Sequence, residues 1–169
     1  MLRLAARECD RIMLHSFCSR HYLTETILPL IEETLQKAGK RRSDFEISGG
    51  GFVVTGSNEE EINKQFEWVR SRIAFYGSTP AYWPVLEASG PTGLGQELLA
   101  LSKTQSWDEM TRLIDDDRVY EFAAVGNHNS IAKAVADYFG GLTDSIAIDP
   151  NTSVDALSEI RHIPTGADQ

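Results

Sequence analysis

Apolar residues recur along this chain in two rhythms: every three or four positions over long stretches, and in brief unbroken runs between them. Leu2, Ala5, Ala6 and Cys9 share one helical face with Arg3, Arg7 and Glu8 opposite, and no Ser, Thr, Asp or Asn precedes them as a cap. Ile12-Met13-Leu14 is a short continuous apolar run, expected of a strand buried on both faces in a parallel sheet. A second helix is predicted from about Tyr22 to Ala38, with Leu23, Ile27, Leu30 or Ile31, and Leu35 on one face and Gly39 as its stop. Pro29 inside it predicts a kink or a lead-in turn. Phe45 to Thr55 reads as a strand interrupted at Gly49-Gly50-Gly51 by a bulge or a close-packed segment. Then Ile62, Phe66, Val69, Ile73 and Tyr76 line one face of a long helix opened by a Ser57/Glu60 capping box.

From Gly77 to Gly126 the strand pattern disappears. Short helices are predicted around Leu94 to Leu101 and after a second capping box, Ser106 to Glu109, so the stretch reads as a helical insertion with a binding or covering role. Asn127 or Asn129 caps a helix carrying Ile131, Val135, Tyr138 and Phe139, ended by Gly140-Gly141. Ser145 to Ile148 is the last strand, Val154 to Ile160 a weak helix, and residues 161–169 a polar tail.

Strands alternating with helices require right-handed crossovers, so three parallel strands with outer helices are expected. Three such strands leave two unpaired edges and an uncovered inner face, whereas a closed eight-stranded barrel has neither. The expected fold is therefore α/β: residues 1–160 as the carboxyl-terminal half of a (β/α)8 barrel, with the insertion at about 77–126. A half-shell buries less than the roughly 70% of unfolded surface usual at this size, and needs a complementary amino-terminal half or homo-association.

Composition narrows the partners. Asp and Glu outnumber Lys and Arg by 25 to 16, a formal charge of -9, which disfavours nucleic acid. The one basic cluster, Lys37, Lys40, Arg41 and Arg42, ends a helix, where cations complement the dipole. Cys9 and Cys18 have no C-x-x-C spacing, which fits a reducing cytoplasm. No apolar run approaches the roughly 20 residues of a membrane span, and the start lacks the apolar core of a signal peptide, so no membrane association or export is expected.

Several stretches carry a resemblance. Met1 to Asp10 leading into Ile12-Met13-Leu14-His15, the Leu28-Pro29 helix, the Phe45 to Gly56 strand, Ala74 to Tyr82, and Ala124-Val125-Gly126 before a helix together resemble the carboxyl-terminal half of a luciferase-like monooxygenase, in the branch that uses a deazaflavin coenzyme. The resemblance implies an oxidoreductase site at the carboxyl ends of barrel strands that binds FMN or the deazaflavin coenzyme F-420, transferring hydride to or from a small-molecule substrate or activating oxygen. Asp10-Arg11 stands where the family commonly has an acidic residue followed by Gly, and Gly126-Asn127-His128-Asn129 where it favours Gly-Glu-Pro-Asp or Gly-Asp-Pro. The alternative is a catalytically inactive half-barrel that acts as an assembly module.

His15, at a strand's carboxyl end, is the candidate catalytic group, for a hydrogen bond to the cofactor or for acid-base help; the competing reading is a structural strand-end histidine. Thr55, Gly56 and Asp149 occupy the other strand ends as candidate cofactor contacts, or as turn and cap residues. Tyr76, Tyr82 and Trp83 are candidate substrate-pocket walls, or core. The four histidines lack zinc spacing, and Asp115-Asp116-Asp117 lacks the Gly and Glu of a calcium loop, so no metal site is expected.

Overall fold

The structure, a computed structural model, describes residues 1–88, 90–146 and 148. Helix α1 (Leu2–Glu8) leads into β1 (Arg11–Leu14), and α2 (Arg20–Tyr22) begins at Ser19, whose hydroxyl accepts the Tyr22 amide. A π turn, Leu23–Ile27, then precedes α3 (Leu28–Lys37). Pro29 explains the turn: its ring crowds the preceding carbonyls, and the backbone widens so that the Leu28 N–H bonds the Leu23 carbonyl five residues back. The expected lead-in is therefore present, and Gly39 ends α3 at φ +70°.

The predicted single strand over Phe45 to Thr55 is two, β2 (Glu46–Gly49) and β3 (Phe52–Gly56), broken where Gly49 and Gly50 take positive φ. Gly49 is required there: a Cβ would stand 2.5 Å from the Leu14 carbonyl oxygen. Helix α4 (Glu59–Gly77) follows, and its cap lies one residue later than the Ser57/Glu60 pattern suggests. Asn58 accepts the Glu61 N–H, and the Glu61 carboxylate reaches back to the Ser57 amide and hydroxyl.

The stretch after α4 holds the helices α5 (Trp83–Leu86), α6 (Leu94–Lys103), α7 (Trp107–Arg112) and α8 (Asp116–Phe122). The absence of a strand before residue 126 is overturned, because β4 (Ala123–Asn127) starts directly from α8. Ala123 and Ala124 are too small and too helix-prone to signal a strand, yet both are buried in a tight sheet. Helix α9 (Ile131–Phe139) begins at Ser130; Asn127 shapes the turn before it by accepting the Asn129 amide and the Ser130 hydroxyl.

All strand pairing among the described residues is parallel, as expected, but it divides in two. β1 pairs with β2 (Ile12 opposite Ile47), and β3 pairs with β4 (Val53 opposite Ala124). A bridge from Ser48 to Ser145 is what the described residues show of the predicted last strand; Asp149, the Val154 to Ile160 helix and the tail lie outside them. On β1–β2, Ile12, Leu14 and Ile47 pack under α1 and α3. On β3–β4, Phe52, Val54 and Ala123 face α4 and the insertion, while Val53 and Ala124 face α9.

Candidate functional site

His15 follows β1 directly and is exposed. Along Arg11 to His15 exposure alternates: Arg11, Met13 and His15 are open, while Ile12 and Leu14 pack inward, the period of a strand with one covered face. The chain turns sharply after His15, and the Phe17 N–H donates to His15 Nδ1 at 2.9 Å. A backbone amide only donates, so Nδ1 is an unprotonated acceptor, and the neutral ring carries its hydrogen on Nε2. His15 is thus set to donate a hydrogen bond through Nε2–H.

Two predicted pocket residues join it. The Tyr76 ring, from the last turn of α4, meets His15 edge-on at 4.7 Å, and the Tyr82 ring lies 5.7 Å away. Beneath them sit two aromatics that the sequence reading passed over. Phe17 is buried at 5.3 Å from Tyr82 and 4.9 Å from Phe122, which ends α8. Phe17 was legible as the apolar residue two after His15. Phe122 was not, because its position depends on the unrecognised β4. Together these rings give His15 a rigid aromatic flank, suited to the edge or face of a flat conjugated ligand.

The other predicted residues lie apart. Trp83 donates its indole N–H to the Gly77 carbonyl at 3.1 Å and covers Gly95, so it fastens α4 to α6. Thr55 is buried, and its amide donates to Gln65 in the first half of α4. Gly56 is a packing glycine, since a Cβ there would sit 2.6 Å from Glu61 Cβ. Gln65 and Tyr76 are eleven residues apart on α4, about 16 Å along its axis at 1.5 Å per residue. Thr55 and His15 therefore sit beside different ends of one helix. They were expected at one level because each closes a strand, but β3 starts only where β2 has ended.

Thr55 Oγ1 is buried without a hydrogen-bond partner among the described residues. Enclosed by packing, Thr55 and Gly56 offer no open wall to a flavin, whereas His15, Tyr76 and Tyr82 fit one flank of such a ring by shape and by a hydrogen-bond donor.

Elsewhere the charged clusters are structural. Lys37 pairs with Glu33, Lys40 donates to the Cys9 carbonyl, Arg41 pairs with Asp44, and Arg42 with Asp144, whose carboxylate also accepts the Ile47 N–H. Asp115 caps α8 and Asp116 pairs with Arg70. No group of His, Cys, Asp and Glu able to hold a metal occurs among the described residues, and no described helix is long and apolar enough to cross a membrane.

This arrangement has relatives. Residues 1–145 match the luciferase-like monooxygenase family. The chain belongs to that family. Uncharacterized proteins of Mycobacterium bovis and Mycobacterium tuberculosis are each 38% identical over 146 residues, covering 86% of this chain and 43% of the relative. Among solved structures, the coenzyme F420-dependent tetrahydromethanopterin reductase of Methanopyrus kandleri superposes with a TM-score of 0.70 at 17% identity, over 96% of this chain and 46% of that one. The likeness is one of α/β fold. This member of the family spans less than half the length of these relatives.

Proposed function

We propose that the chain forms one wall of a flavin- or deazaflavin-dependent oxidoreductase site, as half of a barrel that a complementary segment or a second copy completes. The observation that carries this reading is the exposed row Arg11, Met13 and His15 on a parallel strand, ending in a histidine set against an aromatic flank. Parallel strands are ordinarily covered on both faces, so a row left open marks a missing neighbour. When bound, FMN or coenzyme F-420 supplies the hydride acceptor or donor, and with FMN, oxygen activation. The chain's own part is positional. Tyr76 and Tyr82 flank the ring system, and His15 Nε2–H donates to an electronegative edge atom on which charge accumulates as hydride moves. Residues 1–146 hold this wall; Asp149 stays a candidate cofactor contact.

The test uses the full chain, alone and mixed with the part of the Mycobacterium tuberculosis relative that it does not span, with FMN and coenzyme F-420 as fluorescent probes. Saturable binding in the mixture, weakened at least tenfold by His15→Ala, is expected. A folded, associated mixture that binds neither cofactor overturns the proposal, and a folded homodimer without cofactor affinity replaces it with the assembly-module reading.

A further inference from the structure

Three large aromatics stand half-exposed on α4 and α7: Trp68 and Phe75 on α4 and Trp107 at the start of α7, each 47–49% accessible. Phe75 and Trp107 meet at a tilt of 43° with 6.3 Å between ring centres, and with the buried Met110 and with Ser71, Arg72 and Thr111 they line an open cleft of about 250 Å³. Arg72 lies over both Trp68, at 5.4 Å, and Phe75, at 5.8 Å. Its Nε is out of solvent and has no acceptor among the described residues. The neighbouring cation Arg70 is satisfied differently. Arg70 is held by Glu67, Asp116 and the Ile114 carbonyl, so Arg72 is a guanidinium fixed by rings alone at the mouth of an aromatic cleft.

We propose that this cleft binds a small aryl carboxylate. The flat apolar body lies against the Phe75 and Trp107 rings above Met110, where aromatic contact and the thioether reward it. The carboxylate meets the guanidinium, which accepts a planar anion in a two-point geometry and loses little freedom because the rings already hold it. The Ser71 and Thr111 hydroxyls at the rim are already donated to the Trp68 and Trp107 carbonyls, which leaves the guanidinium as the donor to the carboxylate. The cleft's volume lies just below that of sites for drug-sized ligands, which limits the body to one ring with a short side chain. A flat protein-docking patch would need no cleft, and a neutral arene would need no fixed cation.

Calorimetric titration of the full chain with phenylacetate and with phenylacetamide tests this, followed in parallel by one-dimensional proton NMR of the indole signals. The carboxylate is expected to bind at least tenfold more tightly than the amide, with the Trp107 signal shifting on saturation. Arg72→Met, which keeps the stem over the rings, should erase the tenfold preference without altering the circular dichroism spectrum. Equal affinity for the two probes, or no saturation by phenylacetate, overturns the proposal. Sedimentation of the free chain as a dimer that Trp107→Ser dissociates would assign the aromatic face to self-association instead.

Discussion

The two strand pairs are built from the same parallel geometry but are covered differently. β3–β4 is sandwiched: Phe52, Val54 and Ala123 lie under α4 and the insertion helices, Val53 and Ala124 under α9, and alternate residues of each strand are therefore both apolar. β1–β2 has the α1/α3 layer on one face, and Met13, 80% accessible, on the other. The contrast separates what stabilises the chain from what it offers to others. Side chains between two layers are committed to the fold, while Arg11, Met13 and His15 are available for a ligand or partner.

This division can be broken most forcefully at Phe122, wholly buried at the junction of α8, β4 and the His15 aromatics. Phe122→Ala should lower stability by about 3–5 kcal/mol in urea unfolding, and a loss under 1 kcal/mol would show that the sandwich does not carry the fold. A smaller effect is expected at Tyr138, whose hydroxyl donates to the Glu121 carbonyl at 2.6 Å. Tyr138→Phe removes that bond and should cost about 1 kcal/mol, read in the same assay.

The covered face of the other pair is probed through Cys18, which packs with Leu14 and Leu23 and whose thiol burial pushes up to about 12. The unfolded chain loses this proton first, near pH 9, so the folded state binds more protons between pH 9 and 12 and stability falls as pH rises through that window, by about 1 kcal/mol at pH 10. Cys18→Ala should flatten this part of the profile; an unchanged slope would count against the buried thiol. A thiol reagent at pH 8 should modify the exposed Cys9 quickly and Cys18 only on unfolding. The smallest effect belongs to the open face: Met13→Ser should change the stability of the chain alone by no more than about 0.5 kcal/mol, yet weaken association with a complementary segment. A loss above 2 kcal/mol in the chain alone would mean that the face is already closed.

Periodicity made α1, α3, α4 and α9 legible, because each buries one stripe, and Ile12 to Leu14 was legible as a strand because its neighbours supply the contrast. β4 was hidden by its own tight packing: Ala123-Ala124-Val125-Gly126 is nearly free of bulk, and no turn residue separates it from Phe122. The two-part character of Phe45 to Gly56 was half visible in its three glycines, but the exchange of strand partners there depends on residues 71 positions downstream, from Phe52 to Ala123. In the site, His15, Tyr76 and Tyr82 came from strand-end and helix-face logic. Thr55 and Gly56 were grouped with them because sequence shows that a strand ends but not at what height.

The glycine break after β2 also orders the events of folding. Arg11 and Glu46 are 35 residues apart, so β1–β2 closes over a modest loop, whereas Phe52 and Ala123 enclose the whole insertion and Ser48 meets Ser145 across 97 residues. Loop closure costs more as the separation grows, and contacts distant in sequence form late. During synthesis β1 and β2 can therefore pair before β4, the partner of β3, has been made. β3, two residues beyond β2, waits unpaired with β4 until α8 and β4 have been made, so the chain is most open to mispairing while the helices between them are being synthesised.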